Sequence, residues 1–376
     1  MRITAVTATL LRERVLWARP VERIVTMRAP EDRPSPHVDQ QVPIPGSVLV
    51  EIETDDGLRG VGLGGGGAAG VLVVDTFLRP LLLGRDAGAV EDLWDLMYRV
   101  TFRYGQAGIV LMAMSAVDLA LWDLRGIAQG QPVWRLLGGK VRERVPVYAT
   151  IRDPLWAQAQ GFWGVKLGGP YGPADGAEGM LKNEAYVAAL RERVGPAFRI
   201  LIDCARTWDV DYTLAMARRL APYDLYLIEE PIASHDVDGY VRLRKAIDTT
   251  RIACGEHVYT RYAARQLLER GAVDVIQPDI RWTGGLTDVL AVCELAAAHG
   301  IPVMPHRGGM AWALPLAMAR PECVVAEGLV LTPEEAVYSV FDGEPVPEGG
   351  HLTASDAPGF GLTLAPERIE EYRSEV

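Results

Sequence analysis

From about residue 145 onward the chain alternates two hydrophobic rhythms. Short apolar runs, "GVKL" (164–167), "RILIDC", "LYLIEEP", "RIACGEH", "VDVIQPD", "IPVMPH" and "CVVAEG", read as buried strands. Between them, "NEAYVAALRERVG", "DYTLAMARRLAPY" and "TDVLAVCELAAAHG" carry apolar residues at helical spacing. Strands that alternate with helices in this way pair in parallel. Seven or eight such units predict an α/β fold closed as a (β/α)7–8 TIM-type barrel. Upstream the pattern differs. "RITAVTATLL" and "SVLVEIETDDGLRGVGLG" predict strands, the second containing a turn at "DDG", and "IVLMAMSAVDLALWDLRGIAQG" predicts an amphipathic helix stopped by glycine. "VERIVTMRAPEDRPSPHVDQQVPIPG" (21–46) predicts a long loop, and loops of that length are usually lids or binding loops.

The organisation expected is therefore a small α+β domain over 1–130, the barrel over 131–330, and a segment over 331–376 that packs back on the small domain. "GLGGGGAAG" (62–70) has the composition of a phosphate cradle but lacks GxxxxGK[ST]. It reads as a flexible loop over the barrel mouth.

Composition narrows the function. A chain of 376 residues accommodates a barrel plus a smaller domain. The 38 basic and 49 acidic residues, net charge −11, argue against a nucleic-acid partner. A bound divalent cation would still let a small anion enter. Cys204, Cys254, Cys293 and Cys323 form no CxxC pair and suggest free thiols in a reducing cytoplasm. Charges interrupt the N-terminal apolar run, so it does not read as a signal peptide. No run reaches the ~18 apolar residues of a membrane span. The expectation is a soluble cytoplasmic protein with no membrane partner.

Polar residues end the strands: Asp203, Glu229, Glu256, Asp279, His306 and Glu327, at intervals of 26, 27, 23, 27 and 21 residues. Each interval is one βα unit, and the C-terminal strand ends of a barrel share one mouth. Three carboxylates confined together cannot all ionise without a cation. The oxygen ligands Asp203, Glu229 and Glu256 suit a hard ion such as Mg²⁺. Strand alternation assigns Glu229 to the site and turns Glu230 away from it. Asp279 next to His306 would fix the imidazole tautomer and make His306 a general base.

This array, with "IEEP", "GEH", "QPD" and "PH", resembles the enolase superfamily in its mandelate racemase group, over nearly the whole chain. "YGPADGAEGMLKN", "QPDIRWTGGLT" and "GEPVPEGGHLTASDAPGFGLTL" are similar to the L-rhamnonate dehydratases and related acid-sugar dehydratases. The resemblance implies that the small domain caps the barrel and that the substrate carboxylate binds Mg²⁺, which stabilises an ene-diolate. It further implies that Glu327 hydrogen-bonds the substrate carboxylate or the developing enolate. Racemases of the superfamily typically carry Lys-x-Lys on one strand, the second lysine being a base. Here Lys166 matches the first and Gly168 takes the second position, which leaves His306 as the one competent base. Loss of water from an aldonate, giving a 2-keto-3-deoxy acid, needs only that base, acting then as acid. Lys166 would neutralise the substrate's charge. One or more of Arg28, Arg33 and His37 of the long loop would contact distal hydroxyls, and His257 could line the pocket or stand behind it or at the surface. Family members commonly form homo-oligomers. The alternatives are an epimerase or cycloisomerase on a similar acid, or a non-catalytic metal-binding barrel. A metal hydrolase of the amidohydrolase kind would need a His-x-His that is absent.

Overall fold

The structure is a computed structural model that describes residues 1–11, 46–151, 153–336 and 339–373. Strands β1 (Ile3–Leu11), β2 (Ser47–Thr54) and β3 (Arg59–Gly64) form an antiparallel sheet in that order. Helices α1 (Val90–Thr101) and α2 (Ile109–Gln129) follow. Gly130, in the left-handed region at φ 60°, caps α2 where the sequence placed its stop.

Of the glycine run 62–70, only Gly65 and Gly66 form a loop, a short link between β3 and the next helix. Gly60, Gly62 and Gly64 lie on one face of β3, and α2 runs directly over them. A Cβ at these positions would lie 2.4 Å from the Ala120 carbonyl oxygen, 2.0 Å from that of Ala116 and 2.2 Å from that of Met112. Two residues of strand rise about 6.6 Å and four residues of helix rise about 6.0 Å, so the two backbones stay in step. The glycine stripe is a groove for α2, and the segment beyond it continues into a helix over Gly67–Val73.

Seven parallel strands follow: β4 (Val145–Thr150), β5 (Gly164–Gly168), β6 (Arg199–Asp203), β7 (Leu227–Glu229), β8 (Arg251–Cys254), β9 (Val275–Ile276) and β10 (Ala326–Gly328). Their order is β10-β4-β5-β6-β7-β8-β9. "IPVMPH" closes the ring with parallel bridges from Val303 to Ile276 and to Cys323 rather than with a full strand. The first barrel strand, "VPVYAT", is absent from the apolar runs picked out by sequence. The helices between strands include α3 (Gly176–Val194), α4 (Val210–Leu220), α5 (Val237–Ala246), α6 (Thr260–Glu269) and α7 (Leu286–Ala298).

Tyr148, Leu201, Leu227, Ala253, Val275, Met304 and Val325 form their own buried cluster, the apolar layer inside the barrel. Side chains two positions on face the same way. From six of these residues that step leads to Thr150, Asp203, Glu229, Gln277, His306 and Glu327. The polar layer at the mouth is thus the next storey of the same pattern.

The cap and the barrel are bound to each other. Asp118 of α2 accepts hydrogen bonds from the Thr287 N–H (3.0 Å) and Oγ1 (2.5 Å) at the start of α7. The C-terminal segment returns to α2, where the Phe360 N–H donates to Asp123 at 2.9 Å. Among the described residues, no helix is long and apolar enough to cross a membrane.

Candidate active site

Asp203 and Glu229 end neighbouring strands in register, with Gly168 paired to Asp203 on the other side. Lys166, one inward step before Gly168, is 3% exposed. Its Nζ lies 2.7 Å from Glu229 Oε1, 2.7 Å from Glu327 Oε1 and 3.7 Å from Asp203 Oδ2. Burial alone would lower its pKa, but Glu229, Glu327 and Asp203 outweigh that and raise it well above the usual lysine value. With these carboxylates around it, Lys166 is held in its protonated form. Glu327 also accepts from Thr150 Oγ1 (2.6 Å) and the Arg307 N–H (2.8 Å), and Lys166 is the main force holding its pKa down to about 2 against burial.

His306 stands across the mouth. Its Nδ1 is 2.6 Å from Asp279 Oδ2, and the other Asp279 oxygen accepts from the Arg281 N–H at 2.7 Å. Nε2 faces inward, 3.0 Å from Glu256 Oε2 and 3.9 Å from Glu327 Oε2. Burial would lower the pKa of His306, yet Glu256, Glu327 and Asp279 together raise it. The Trp282 ring packs beside the imidazole, centroids 5.2 Å apart, with the Arg307 guanidinium on the indole.

The donor set suits a hard divalent cation. Asp203, Glu229 and Glu256 offer only oxygen. Burial drives the Glu229 carboxyl up to about 8; Lys166 opposes this and the charges of Asp203, Glu327 and Glu256 add to it. Asp203 is raised as well, by burial against Lys166 and then by Glu256. A cation among them would offset the burial and the mutual repulsion that raise these two carboxyls. Gln277, which sequence reasoning did not pick out, donates to Glu229 Oε2 at 2.9 Å.

Glu230 corrects the alternation argument. β7 ends at Glu229, and Glu230 takes φ 38°, so its side chain does not continue the pleat away from the mouth. A non-glycine residue in that region costs roughly 1–3 kcal/mol. Its carboxylate is buried and meets Arg206 Nη1 at 2.8 Å and His257 Nδ1 at 2.9 Å. Arg206, also missed from sequence, has φ 61°. Glu230, Glu256 and His257 bring one ligand atom each within 4.8 Å of one another. Arg206 already stands among them, its Nη1 3.5 Å from Glu256 Oε1 and 2.6 Å from His257 Nδ1. His257 is thus half-buried at the rim, and Glu230 and Glu256 outweigh its burial to push its pKa up to about 9. Arg28, Arg33 and His37 lie outside the described residues.

Comparison with known proteins agrees with this architecture. Residues 23–138 match the N-terminal domain of the mandelate racemase / muconate lactonizing enzyme family, and residues 153–368 match the enolase C-terminal domain-like family. The chain is 40% identical over 328 residues to an L-rhamnonate dehydratase from Saccharopolyspora erythraea, covering 86% of this chain and 84% of that protein. It is also 40% identical over 324 residues to a protein of Caldivirga maquilingensis that bears the name "Putative L-rhamnonate dehydratase", covering 85% of this chain and 81% of that protein. Among solved structures, rhamnonate dehydratase from Gibberella zeae complexed with Mg superposes with a TM-score of 0.90 at 34% identity, covering 98% of this chain and 95% of that one. With both domains matched and the strand-end residues gathered at one mouth, the chain belongs to the mandelate racemase / muconate lactonizing enzyme family of the enolase superfamily.

Proposed function

We propose that the protein is a Mg²⁺-dependent dehydratase of an acid sugar, an aldonate similar to L-rhamnonate, and that it yields a 2-keto-3-deoxy acid. The observation that carries the reading is the asymmetry of the mouth. His306, backed by Asp279, faces the carboxylate cluster, while on β5 the residue paired with Asp203 is Gly168. Inverting a carbon centre by proton transfer needs a base on each face. Elimination of water needs only one. The 40% identity to an L-rhamnonate dehydratase supports the same class of reaction.

Asp203, Glu229 and Glu256 would hold the cation, which when bound supplies positive charge to a carboxylate whose α-proton is leaving. Lys166 adds a second, permanent positive charge, kept in place by Glu229 and Glu327. Asp279 accepts a hydrogen bond from the Nδ1–H of His306, so that in the neutral imidazole the basic lone pair is on Nε2, which faces the cluster. Nε2 removes the α-proton, and the electron pair left on the α-carbon forms the double bond as the C3–O bond breaks. The protonated imidazole then gives its proton to the departing 3-hydroxyl, which leaves as water from the same face. The enol tautomerises to the 2-keto acid.

The test is incubation with Mg²⁺ and a panel of aldonic acids, with keto acid detected by semicarbazide. Product from an aldonate of the L-rhamnonate type is expected. Absence of turnover across the panel would refute the dehydratase reading, and exchange of the α-proton without loss of water would replace it with an epimerase.

A further inference from the structure

Glu230 is a buried carboxylate that the mechanism above leaves unused. It is 1% exposed, sits on a left-handed backbone, and its Oε2 meets both Arg206 Nη1 (2.8 Å) and His257 Nδ1 (2.9 Å). Its Oε1 lies 3.4 Å from Ser234 Oγ and 3.8 Å from Cys254 Sγ. The same Arg206 nitrogen is 3.5 Å from Glu256 Oε1. Arg206 thus lies between two carboxylates and is closer to Glu230. Its backbone N–H also donates to the Glu230 carbonyl at 2.7 Å, which ties the two loops together.

We infer that Glu230 is a positioning residue whose carboxylate holds the Arg206 guanidinium off Glu256, keeping Glu256 available to a divalent cation. The inference rests on the reading of Asp203, Glu229 and Glu256 as cation ligands. A guanidinium and a metal ion compete for the same carboxylate oxygens, and a carboxylate paired with arginine is a poorer ligand. Arg206 already makes a long contact with Glu256 Oε1, an oxygen that His257 Nδ1 also meets at 3.0 Å, and without the Glu230 charge it needs only a small movement to shorten that contact to a close ion pair. Partners that act on a ligand from outside the coordination sphere commonly change metal affinity by about 10–100-fold when they are lost.

The experiment is calorimetric titration of Mg²⁺ into the chelator-treated full chain without substrate. Glu230→Gln is expected to bind Mg²⁺ roughly 10–100-fold more weakly than the parent protein. Arg206→Met alone should bind as well as the parent or better. Glu230→Gln/Arg206→Met should recover most of the lost affinity, because the guanidinium that captured Glu256 is gone. A merely structural role for Glu230 would not be rescued by removing Arg206. Unchanged affinity in Glu230→Gln overturns the inference, and so does a double variant as weak as the single one, the result expected if Glu230 were itself a ligand. Should Glu230→Gln fail to fold, Glu230→Asp, which withdraws the carboxylate from Arg206, is expected to show the same loss and the same rescue. Asp203→Asn separates the underlying reading: if it leaves Mg²⁺ binding intact, the ligand assignment itself is wrong.

Discussion

Replacing Asp279 by asparagine tests the base without changing its shape. Both carboxylate oxygens of Asp279 accept hydrogen bonds, Oδ1 from the Arg281 N–H at 2.7 Å and Oδ2 from His306 Nδ1 at 2.6 Å. Asparagine has one acceptor oxygen. With that oxygen kept by Arg281, the amide NH₂ faces Nδ1, which must then accept, and the ring proton moves to Nε2. The imidazole is left in the tautomer that cannot remove a proton. The charge is lost as well. Opposite charges centred roughly 4 Å apart at an effective dielectric of 20 attract by about 4 kcal/mol, support withdrawn from the imidazolium as it forms. At 1.36 kcal/mol per decade this is about 10³-fold in kcat, within the usual range of ~10²–10⁴ for general acid–base catalysis. Asp279 is not placed against substrate, so KM should change by less than about threefold. The assay is steady-state formation of keto acid, with the melting temperature as a control for folding. An Asp279→Asn enzyme that keeps more than a tenth of the parent kcat would refute the role given to the dyad.

Further predictions follow from other parts of the molecule. Chelation should abolish activity and Mg²⁺ should restore it; Mg²⁺ at a hundred times its Kd should stabilise the parent chain by about 2.7 kcal/mol in denaturant melts, and Glu229→Gln should lose this gain. Gly62→Ala puts a Cβ 2.0 Å from the Ala116 carbonyl oxygen, so α2 must lift from β3; a loss of about 1–3 kcal/mol is expected in thermal melts, and a neutral result would refute the groove. Burial, more than any neighbour, pushes the Asp118 carboxyl up to about 7, against about 3.9 for an unfolded chain. The folded state therefore binds the Asp118 proton more tightly. Its contribution is complete below about pH 4 and falls away as pH rises toward 7. The stability advantage of the parent over Asp118→Asn should shrink across that window by roughly 4 kcal/mol at most, and a flat difference would contradict the buried protonated carboxyl.

The barrel and its mouth were legible because one period governs both. Each strand places an apolar residue in the inner layer and its polar partner two positions on, so Asp203, Glu229, His306 and Glu327 could be found from strand ends alone. The same rule applied strictly would have yielded Thr150 and Gln277, which contact Glu327 and Glu229. It fails at Glu230 because a left-handed residue ends the pleat, and no alternation pattern registers a change of φ. Arg206 was hidden for a related reason: it follows Ala205, also left-handed, in a loop with no periodicity. The run 62–70 misled because glycine serves both flexible loops and tight packing. Only the spacing of Gly60, Gly62 and Gly64 against Met112, Ala116 and Ala120 separates the two, and that spacing spans two elements far apart in sequence.

The central claim is that one histidine performs both proton transfers of a dehydration. The most direct measurement is incubation of the parent and His306→Asn enzymes with Mg²⁺ and the turned-over aldonate in D₂O, following substrate and product by proton NMR. The account predicts 2-keto-3-deoxy acid from the parent, and from His306→Asn neither product nor exchange of the α-proton. Exchange or dehydration that persists in His306→Asn would mean that another group removes the proton, and would contradict the account.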